Sequence, residues 1–397
     1  MNSDYFCFMI SFENTEVAFR GKSDKELKRA HWLFKMVANP GMVKFGKWAT
    51  NVSMKIHLPI KGIIKKTIFQ QFCGGETIKE SLSSSQKLAD RNVKTILDYS
   101  IEGKTTEEDF EKTVDEIIAT ILEAKNNKHI PFAVFKTTGI SLFRILEAAN
   151  DGLEKLSETD RDAYDKVFDR VDRIAKAANE NNVPLFIDAE ETWIQNTIDH
   201  IVYEMSLRYN KERAIVYNTV QMYRHDRLEF IKKEIERAQN DGIYLGFKIV
   251  RGAYMEKERE RAEEKGYQSP IQPDKTSTDR DFNAALELCI KNIERVAICA
   301  GTHNEDSSLL LTKLIEENGI AKDDKRVFFA QLLGMSDHIS FNLANTGYEV
   351  AKYVPYGPIK EVLPYLIRRA EENTSVAGQT GRELSLIKKE IKRRRSL

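Results

Sequence analysis

The feature that most constrains this chain is a strand–helix alternation that begins near residue 90 and repeats eight times. Short runs rich in β-branched and aromatic residues alternate with longer polar segments, in which apolar residues recur at i, i+3 and i+4. The runs are continuously apolar, which is typical of parallel strands buried on both faces. Eight such units predict an α/β fold of the (βα)8 TIM-barrel type. The runs are 93–101, 131–139, 183–191, 214–223, 244–254, 295–304, 326–334 and 349–357.

Residues 1–85 stand outside this repeat, and we predict that they form a mainly helical N-terminal region, with 86–397 forming the barrel domain. Within that region, 27–75 contains no Asp or Glu but nine Lys and Arg, interleaved with large apolar residues. The pattern fits either a solvated helical surface or an amphipathic surface that docks on acidic lipid or an acidic partner. We interpret the basic C-terminal end, "IKKEIKRRRSL", as a solvated tail.

The composition narrows the function classes. The 61 Lys and Arg balance the 61 Asp and Glu, so no global charge favours nucleic acid. No apolar run approaches the length of a membrane span, and the first residues lack the basic start of a signal peptide. The four cysteines and seven histidines show no metal-ligand spacing, so we predict no metal site. Few cysteines in a long chain favour a reducing compartment, hence a cytoplasmic protein.

Polar residues end six of the eight runs. In a barrel of parallel strands these ends meet at one mouth, where the chemistry of such folds lies. The prevailing charge there is positive, which favours an anionic ligand. The residues are Lys136 on the second run, Asp188 with Glu190 and Glu191 on the third, Gln221 on the fourth, Lys248, Arg251 and Tyr254 on the fifth, Thr302, His303 and Asn304 on the sixth, and Tyr353 on the eighth.

Two adjacent arginines follow the last run, in the helical stretch "VLPYLIRRAEEN". Guanidinium forks match carboxylates, and neighbouring helix positions diverge by about 100°, so Arg368 and Arg369 can flank one small carboxylate from two sides. Glu372 lies on the same side of the helix, where it could equally form an ordinary helical ion pair. The alternative for the arginines themselves is a solvated helix face.

Taken together, these motifs resemble the proline dehydrogenase family in its stand-alone, FAD-dependent form. The resemblance runs in family order from residue 95 to about 380, and it is weak over the first 85 residues. The motifs that carry it are "LDYSIE", "FKTTG", "IDAEETWIQ", "YNTVQMYR", "KIVRGAYMEKER", "THNED", "FAQLLGMSDHISF", "KYVPYGP" and "VLPYLIRRAEEN".

The resemblance implies oxidation of L-proline to 1-pyrroline-5-carboxylate by hydride transfer to FAD, the first step of proline catabolism to glutamate, with a quinone reoxidising the flavin. It implies catalytic roles for Asp188 and Lys248. The substrate-binding residues it implies are Lys136, Arg368, Arg369, Tyr353, Leu332, Tyr254 and Glu372. The cofactor-binding residues it implies are Ala189, Gln221, Lys248, Val250, Arg251, Gly252, Ala253, Lys275, Thr276, Thr302, His303 and Asn304.

The chain departs from some members of the family at the basic pair of the fifth run. Those members place Arg first and Lys second, whereas here Lys248 precedes Arg251, which preserves charge but removes the fork at the first position. The implied partners are L-proline, membrane quinone and a separate pyrroline-5-carboxylate dehydrogenase. The implied place is the inner face of a membrane, through peripheral contact.

Three alternatives stay open at this point. A related flavoenzyme could act on hydroxyproline, although the bulky phenol of Tyr353 would crowd a substituted ring. A flavin-free aldolase or lyase could use Lys136 or Lys248 as a Schiff-base nucleophile. A non-enzymatic binding protein is the third, and the six polar strand ends weigh against it.

Overall fold

The protein forms one closed barrel of eight parallel strands in sequential order. The structure is a computed structural model that describes residues 10–39, 41, 62, 65–101, 103–375 and 379–396. Each predicted run contains one strand, and the last strand closes the barrel on the first, so the predicted (βα)8 fold is confirmed. The strands are β1 Lys94–Tyr99, β2 Phe132–Lys136, β3 Leu185–Asp188, β4 Val216–Gln221, β5 Leu245–Val250, β6 Val296–Gly301, β7 Val327–Leu332 and β8 Val350–Tyr356.

Helices follow every strand and surround the barrel. Several begin at a side-chain cap, such as Thr106, Ser157 or Asn304, whose side-chain oxygen accepts a backbone N–H of the first turn. A short helical stretch, Lys65–Phe69 with Gln70–Phe72, precedes the third helix. The helices are α1 Thr15–Phe19, α2 Asp24–Val37, α3 Ile78–Ala89, α4 Glu107–Asn126, α5 Phe143–Ala149, α6 Glu158–Glu180, α7 Thr192–Tyr209, α8 Arg227–Asp241, α9 Met255–Lys265, α10 Lys275–Lys291, α11 Glu305–Glu317, α12 Asp337–Asn345, α13 Ile359–Ser375 and α14 Gln379–Arg395.

An aromatic layer fills the lower part of the barrel. Phe132 stacks on Phe186 with ring centroids 4.3 Å apart, and Phe328 and Tyr217 meet Phe132 edge-on. Gly246 makes room for the Tyr217 ring, which would lie 2.3 Å from a Cβ at that position. Because side chains alternate along a strand, the inward positions next in register after this layer are the polar ones at the strand ends.

Those inward positions place the sequence-predicted polar residues at the barrel mouth. Lys136 lies four residues after Phe132 on β2, and Asp188 lies two after Phe186 on β3. The register of β2 and β3 pairs these two residues directly. The site therefore sits on top of a packed hydrophobic floor.

The last helix, α14, returns to the start of the chain and packs on it. Leu386 and Ile387, each 1% exposed, form one cluster with Phe19, Leu27 and other residues of α1 and α2. The interpretation of the C-terminal end as a solvated tail is therefore wrong. A narrow apolar stripe, hidden among many lysines and arginines, is enough to dock this helix.

Parts of the N-terminal region lie outside the described residues. Nearly half of the acid-free stretch 27–75 does so, including 42–61 with Lys44, Lys47, Lys55 and Lys61. The proposed division after residue 85 falls inside α3 and stays a prediction. Across the described part of the chain, no helix is long and apolar enough to cross a membrane.

Candidate active site

The centre of the barrel mouth is a buried triad from three strands. The Lys248 ammonium on β5 forms an ion pair with the Asp188 carboxylate on β3. The Tyr353 hydroxyl on β8 donates to the same carboxylate, with O–O distances of 3.0 and 3.1 Å. Lys248 also lies 4.8 Å from the centroid of the Tyr353 ring, a cation–π contact. Burial and the charge of Asp188 raise the pKa of Tyr353, so the phenol stays protonated as the donor.

Two further buried carboxyl groups, Asp98 and Glu190, belong to the same end of the barrel. Burial, with the charge of Asp188 acting in the same direction, raises the pKa of Asp98 on β1 to about 6. Burial raises the pKa of Glu190, just after β3, to about 7 against the opposing charge of Lys136. Glu190 accepts hydrogen bonds from the backbone N–H and the hydroxyl of Thr138. The positive charges of Lys136 and Lys248 thus face a group of acids instead of an open, purely cationic mouth.

Glu190 gives a pH-dependent prediction. Its pKa is higher in the folded protein, about 7, than its ordinary value of 4.5, so the folded state keeps a proton that the unfolded state releases. The Glu190 contribution to stability therefore falls as pH rises from 4.5 to 7 and is level above that. We expect Glu190→Gln, which mimics the protonated acid, to exceed the parent in unfolding free energy by roughly 1–3 kcal/mol at pH 8.

The measurement is urea unfolding of both proteins at pH 5 and pH 8. At pH 5 the two unfolding free energies should lie close together, because Glu190 is protonated in the folded state. Glu236→Gln, on the exposed side of α8, is the matched control. Its unfolding free energy should differ from that of the parent by the same amount at both pH values. An equal difference in unfolding free energy between Glu190→Gln and the parent at pH 5 and pH 8 would contradict the raised pKa of Glu190.

A loop with exposed backbone follows β5. Gly252 has φ +133°, and a Cβ there would lie 2.5 Å from the ring of Tyr223, so the position requires glycine. Gln221 at the end of β4 links this loop to the third strand. Its amide donates to the Glu190 carbonyl at 2.8 Å and accepts from the Ala253 backbone N–H at 3.3 Å. Gly252 and Ala253 are themselves exposed, which leaves their surface open at the mouth.

Arg251 joins the loop to the helices after β5 and β6. Its guanidinium donates to Asp279 at 2.7 Å, to the Thr302 hydroxyl at 2.7 Å and to the Ser307 hydroxyl at 2.9 Å. Lys275 at the start of α10 pairs with the same Asp279. This pairing brings Lys275 and Arg251 together, with Thr276 next along the helix start, and Thr302 also accepts from the Asn304 backbone N–H.

His303 is held as a neutral ring by two hydrogen bonds. The Leu332 backbone N–H lies 3.5 Å from Nε2, which makes that nitrogen the acceptor. The ring proton is then on Nδ1, which lies 2.9 Å from the Ser336 hydroxyl. Burial, together with positive charges that include Lys352 and Arg369, lowers the pKa of His303 to about 3. His303 therefore supplies a fixed dipole and no charge at neutral pH.

The arginine pair lies half-buried on α13, the helix after β8. The Arg369 guanidinium carbon is 5.2 Å from the centroid of the Tyr365 ring, and its charge reaches His303. The side chain of Glu372 lies outside the described residues, so its predicted contact stays a prediction. Val250 at the end of β5 and Tyr254 beyond it are partly buried. Ala189, just after β3, is buried.

Sequence reasoning missed several polar residues of this site. Asp98 lies at the end of the first strand, inside the motif "LDYSIE", but that strand had been given no polar end. Gln331 on β7 donates to the Thr302 carbonyl at 3.1 Å, and Ser336 orients His303. Asp279 lies inside α10, four residues after Lys275, and only the fold brings it to Arg251.

Fold and geometry together define a class: a (βα)8 barrel whose mouth combines cations, buried acids and an open glycine loop for an anionic ligand. The proline dehydrogenase family model matches residues 81–382 of this chain. The chain therefore belongs to the proline dehydrogenase family.

Individual relatives agree with this membership. Mitochondrial proline dehydrogenase 1 of Dictyostelium discoideum is 35% identical over 379 residues, which are 85% of this chain and 66% of that protein. Hydroxyproline dehydrogenase of Xenopus laevis is 30% identical over 421 residues, 97% of this chain and 90% of that protein.

The fold has a solved counterpart in the crystal structure of proline utilization A (PutA) from Bdellovibrio bacteriovorus inactivated by N-propargylglycine. The TM-score is 0.71 at 20% identity, and the match covers 92% of this chain but 37% of that one. This similarity supports the barrel fold. The chain thus spans only about a third of the PutA polypeptide and 66% of the Dictyostelium relative.

Proposed function

We propose that this chain oxidises L-proline to 1-pyrroline-5-carboxylate, with FAD as the hydride acceptor and a membrane quinone as the final oxidant. The observation that carries the proposal is the buried triad of Lys248, Asp188 and Tyr353 at the mouth of a barrel from this family. The half-buried cations Lys136, Arg368 and Arg369 lie on elements that end or begin at the same mouth. They suit the carboxylate of a small amino acid.

The residues after β5 and β6 fit a flavin nucleotide, which family membership implies. The strained, exposed backbone at Gly252 lets a flat group approach where a side chain would block it. Arg251, Lys275 and the backbone N–H groups at the N-terminus of α10 supply positive charge for a diphosphate. Gln221, Ala253 and the neutral His303 offer hydrogen-bonding groups beside that path.

The protein's own residues would position the substrate. Lys136, Arg368 and Arg369 bind the carboxylate, while Tyr353 and Leu332, paired in register on β8 and β7, pack against the ring. The Lys248 ammonium balances the negative charge of the buried Asp188 carboxylate. Asp188 in turn holds the Tyr353 hydroxyl in place through a hydrogen bond. FAD, when bound, supplies the two-electron acceptor for the hydride that leaves C5 of proline.

The Schiff-base alternative loses support at one of its two lysines. Lys248 is 6% exposed, and its ammonium is held by the Asp188 carboxylate. A nucleophilic lysine needs a neutral amine, which an adjacent carboxylate disfavours. The geometry therefore favours a positioning and electrostatic role for Lys248.

A second substrate has one observation in its favour, the similarity to hydroxyproline dehydrogenase over 97% of this chain. Against it stands the Tyr353 phenol, 9% exposed and fixed over the mouth by Asp188, which would crowd a ring hydroxyl. We expect Tyr353→Ser to raise the ratio of kcat/KM for hydroxyproline over proline by roughly tenfold.

Steady-state rates with both substrates test this expectation. Tyr353→Phe is the matched control, because it removes the hydroxyl but keeps the ring, and its substrate ratio should stay near that of the parent. An unchanged ratio in Tyr353→Ser would remove Tyr353 as the residue that selects proline.

The direct test of the proposed function is proline-dependent reduction of a soluble dye by the purified protein. Acid precipitation should release the yellow colour into solution as FAD, because no cysteine among the described residues lies exposed for a covalent link. Flavin that stays with the pellet would overturn non-covalent binding. Dye reduction without proline, or none with it, would overturn the proposed reaction.

A further inference from the structure

A strongly basic groove lies between α2 and α14, away from the barrel mouth. It has a volume of about 390 Å³. Five of its six lining residues are basic, and the sixth is apolar. The lining residues are Lys28, His31, Lys388, Ile391, Lys392 and Arg395.

The two helices turn matching stripes towards this groove. On α2, Lys28 and His31 are three residues apart, beside the buried Leu27, Ala30 and Phe34 that pack on α14. On α14, the three cations at 388, 392 and 395 follow the i, i+4, i+7 spacing of one helix face. Two separate basic segments of the sequence thus become one surface only through the packing of α14 on α2.

The groove cations differ from the other cations of α14 in their partners. Lys389 pairs with Glu13 at 2.8 Å, Arg393 with Glu390 at 2.8 Å, and Arg394 with Asp24 at 2.9 Å. Within the part of the chain that the structure describes, the five basic residues of the groove form no ion pair with a carboxylate. Lys389, Arg393 and Arg394 already pair with the nearby acids, so the groove keeps its positive charge for an external anion.

An exposed tryptophan adjoins the groove. Trp32 is 51% exposed, the most exposed of the large hydrophobic side chains in the described residues. It follows His31 directly and lies one turn after Lys28, on the outer side of α2. Tryptophan beside lysines is typical of a surface that rests at a membrane–water interface. An inorganic phosphate ion, which has no apolar part, would gain little from the indole.

We propose that the groove between α2 and α14 binds the phosphate groups of anionic lipids and docks this protein on a membrane surface. The inference rests on the proposed function in one respect: the proposed electron acceptor is a membrane quinone. Burial and the charges of Lys388 and Lys35 lower the pKa of His31, so four Lys and Arg carry the charge at neutral pH. The contact is peripheral, and it weakens as salt rises.

The test is co-sedimentation of the full chain with vesicles of phosphatidylcholine alone or with phosphatidylserine. A groove variant and a control variant each lose four positive charges, and the control charges lie exposed and outside ion pairs on the barrel helices. The groove variant is Lys28→Gln, Lys388→Gln, Lys392→Gln and Arg395→Gln. The control variant is Lys125→Gln, Lys166→Gln, Lys233→Gln and Lys291→Gln.

We expect the groove variant to bind phosphatidylserine vesicles roughly a hundredfold more weakly at low salt, since each of the four cations near an anionic leaflet contributes about fivefold at most. The control variant should bind like the parent, and Trp32→Ala should bind severalfold more weakly. Equal binding by the groove variant and the parent would overturn the proposal. Two results together would assign the groove to a free anion and also overturn the proposal. These are displacement of the parent from vesicles by millimolar inorganic phosphate, and vesicle binding by Trp32→Ala equal to that of the parent.

Dye reduction separates this inference from the proposed function. The groove variant should keep proline-dependent dye reduction, because none of its four residues lies at the barrel mouth. Vesicle binding that survives in the groove variant would overturn the docking site while leaving proline oxidation intact. A parent protein that binds vesicles but reduces no dye would overturn the proposed reaction alone.

Discussion

Replacing Lys248 by methionine should lower the unfolding free energy by about 3–5 kcal/mol. The substitution is close to volume-conserving, so the expected loss does not come from a cavity. It comes from the Asp188 carboxylate, which stays buried after its ion-pair partner, the Lys248 ammonium, is removed. The nearby Asp98 makes the loss larger, since Lys248 also compensates that acid. Denaturant unfolding of parent and variant measures the difference.

A second substitution separates this loss from ordinary packing damage. Lys248→Met combined with Asp188→Asn removes the stranded charge, so most of the lost stability should return. Proline-dependent dye reduction should be absent from this double variant, because both members of the ion pair at the mouth are gone. Asp188→Asn alone strands Lys248 and should also destabilise the protein. A Lys248→Met variant within about 1 kcal/mol of the parent would show that the ion pair is not a buried unit.

Replacing Arg368 or Arg369 by methionine should raise the KM for proline ten- to a hundredfold while flavin absorbance is retained. Losing a charge-assisted hydrogen bond to a carboxylate costs about 1.5–3 kcal/mol, which corresponds to this range. Lys136→Met should act in the same direction. Arg→Lys at either position keeps the charge but loses the fork, so it should fall between the parent and the methionine variant.

Lys360→Met is the matched control for the arginines. It removes an exposed charge from the first turn of the same helix, about 12 Å along the axis from Arg368. Its KM should stay near that of the parent. KM values within twofold of the parent in both arginine variants would indicate that the pair forms a solvated helix face and does not bind proline.

The barrel was predictable from the sequence because its signal is local and repeated. Each strand is a continuous apolar run, and its inward polar residue stands at a fixed place at the end of that run, as Lys136 and Asp188 show. Asp188, Lys248 and Tyr353 were each identifiable as polar residues within the apolar runs, although Lys248 and Tyr353 lie inside their strands and only Asp188 ends one. Their joining into one buried triad depends on side-chain contacts across the mouth between β3, β5 and β8, which no local pattern encodes.

The missed features depend on contacts between distant segments. Asp279 reaches Arg251 only because α10 returns to the mouth, and Ser336 reaches His303 from the loop after another strand. The C-terminal helix was misread because its apolar residues are few, and its partners Phe19 and Leu27 lie more than 350 residues earlier in the chain. The basic groove is formed by that same packing, so the sequence alone did not reveal that its two basic segments form one surface.

The most direct measurement is the visible absorbance spectrum of the purified protein, recorded without oxygen before and after addition of L-proline. We predict a yellow protein whose flavin spectrum bleaches with proline, and far less bleaching in Arg368→Met at the same proline concentration. A colourless protein that cannot be reconstituted with FAD, or a flavin spectrum that proline leaves unchanged, would contradict this prediction.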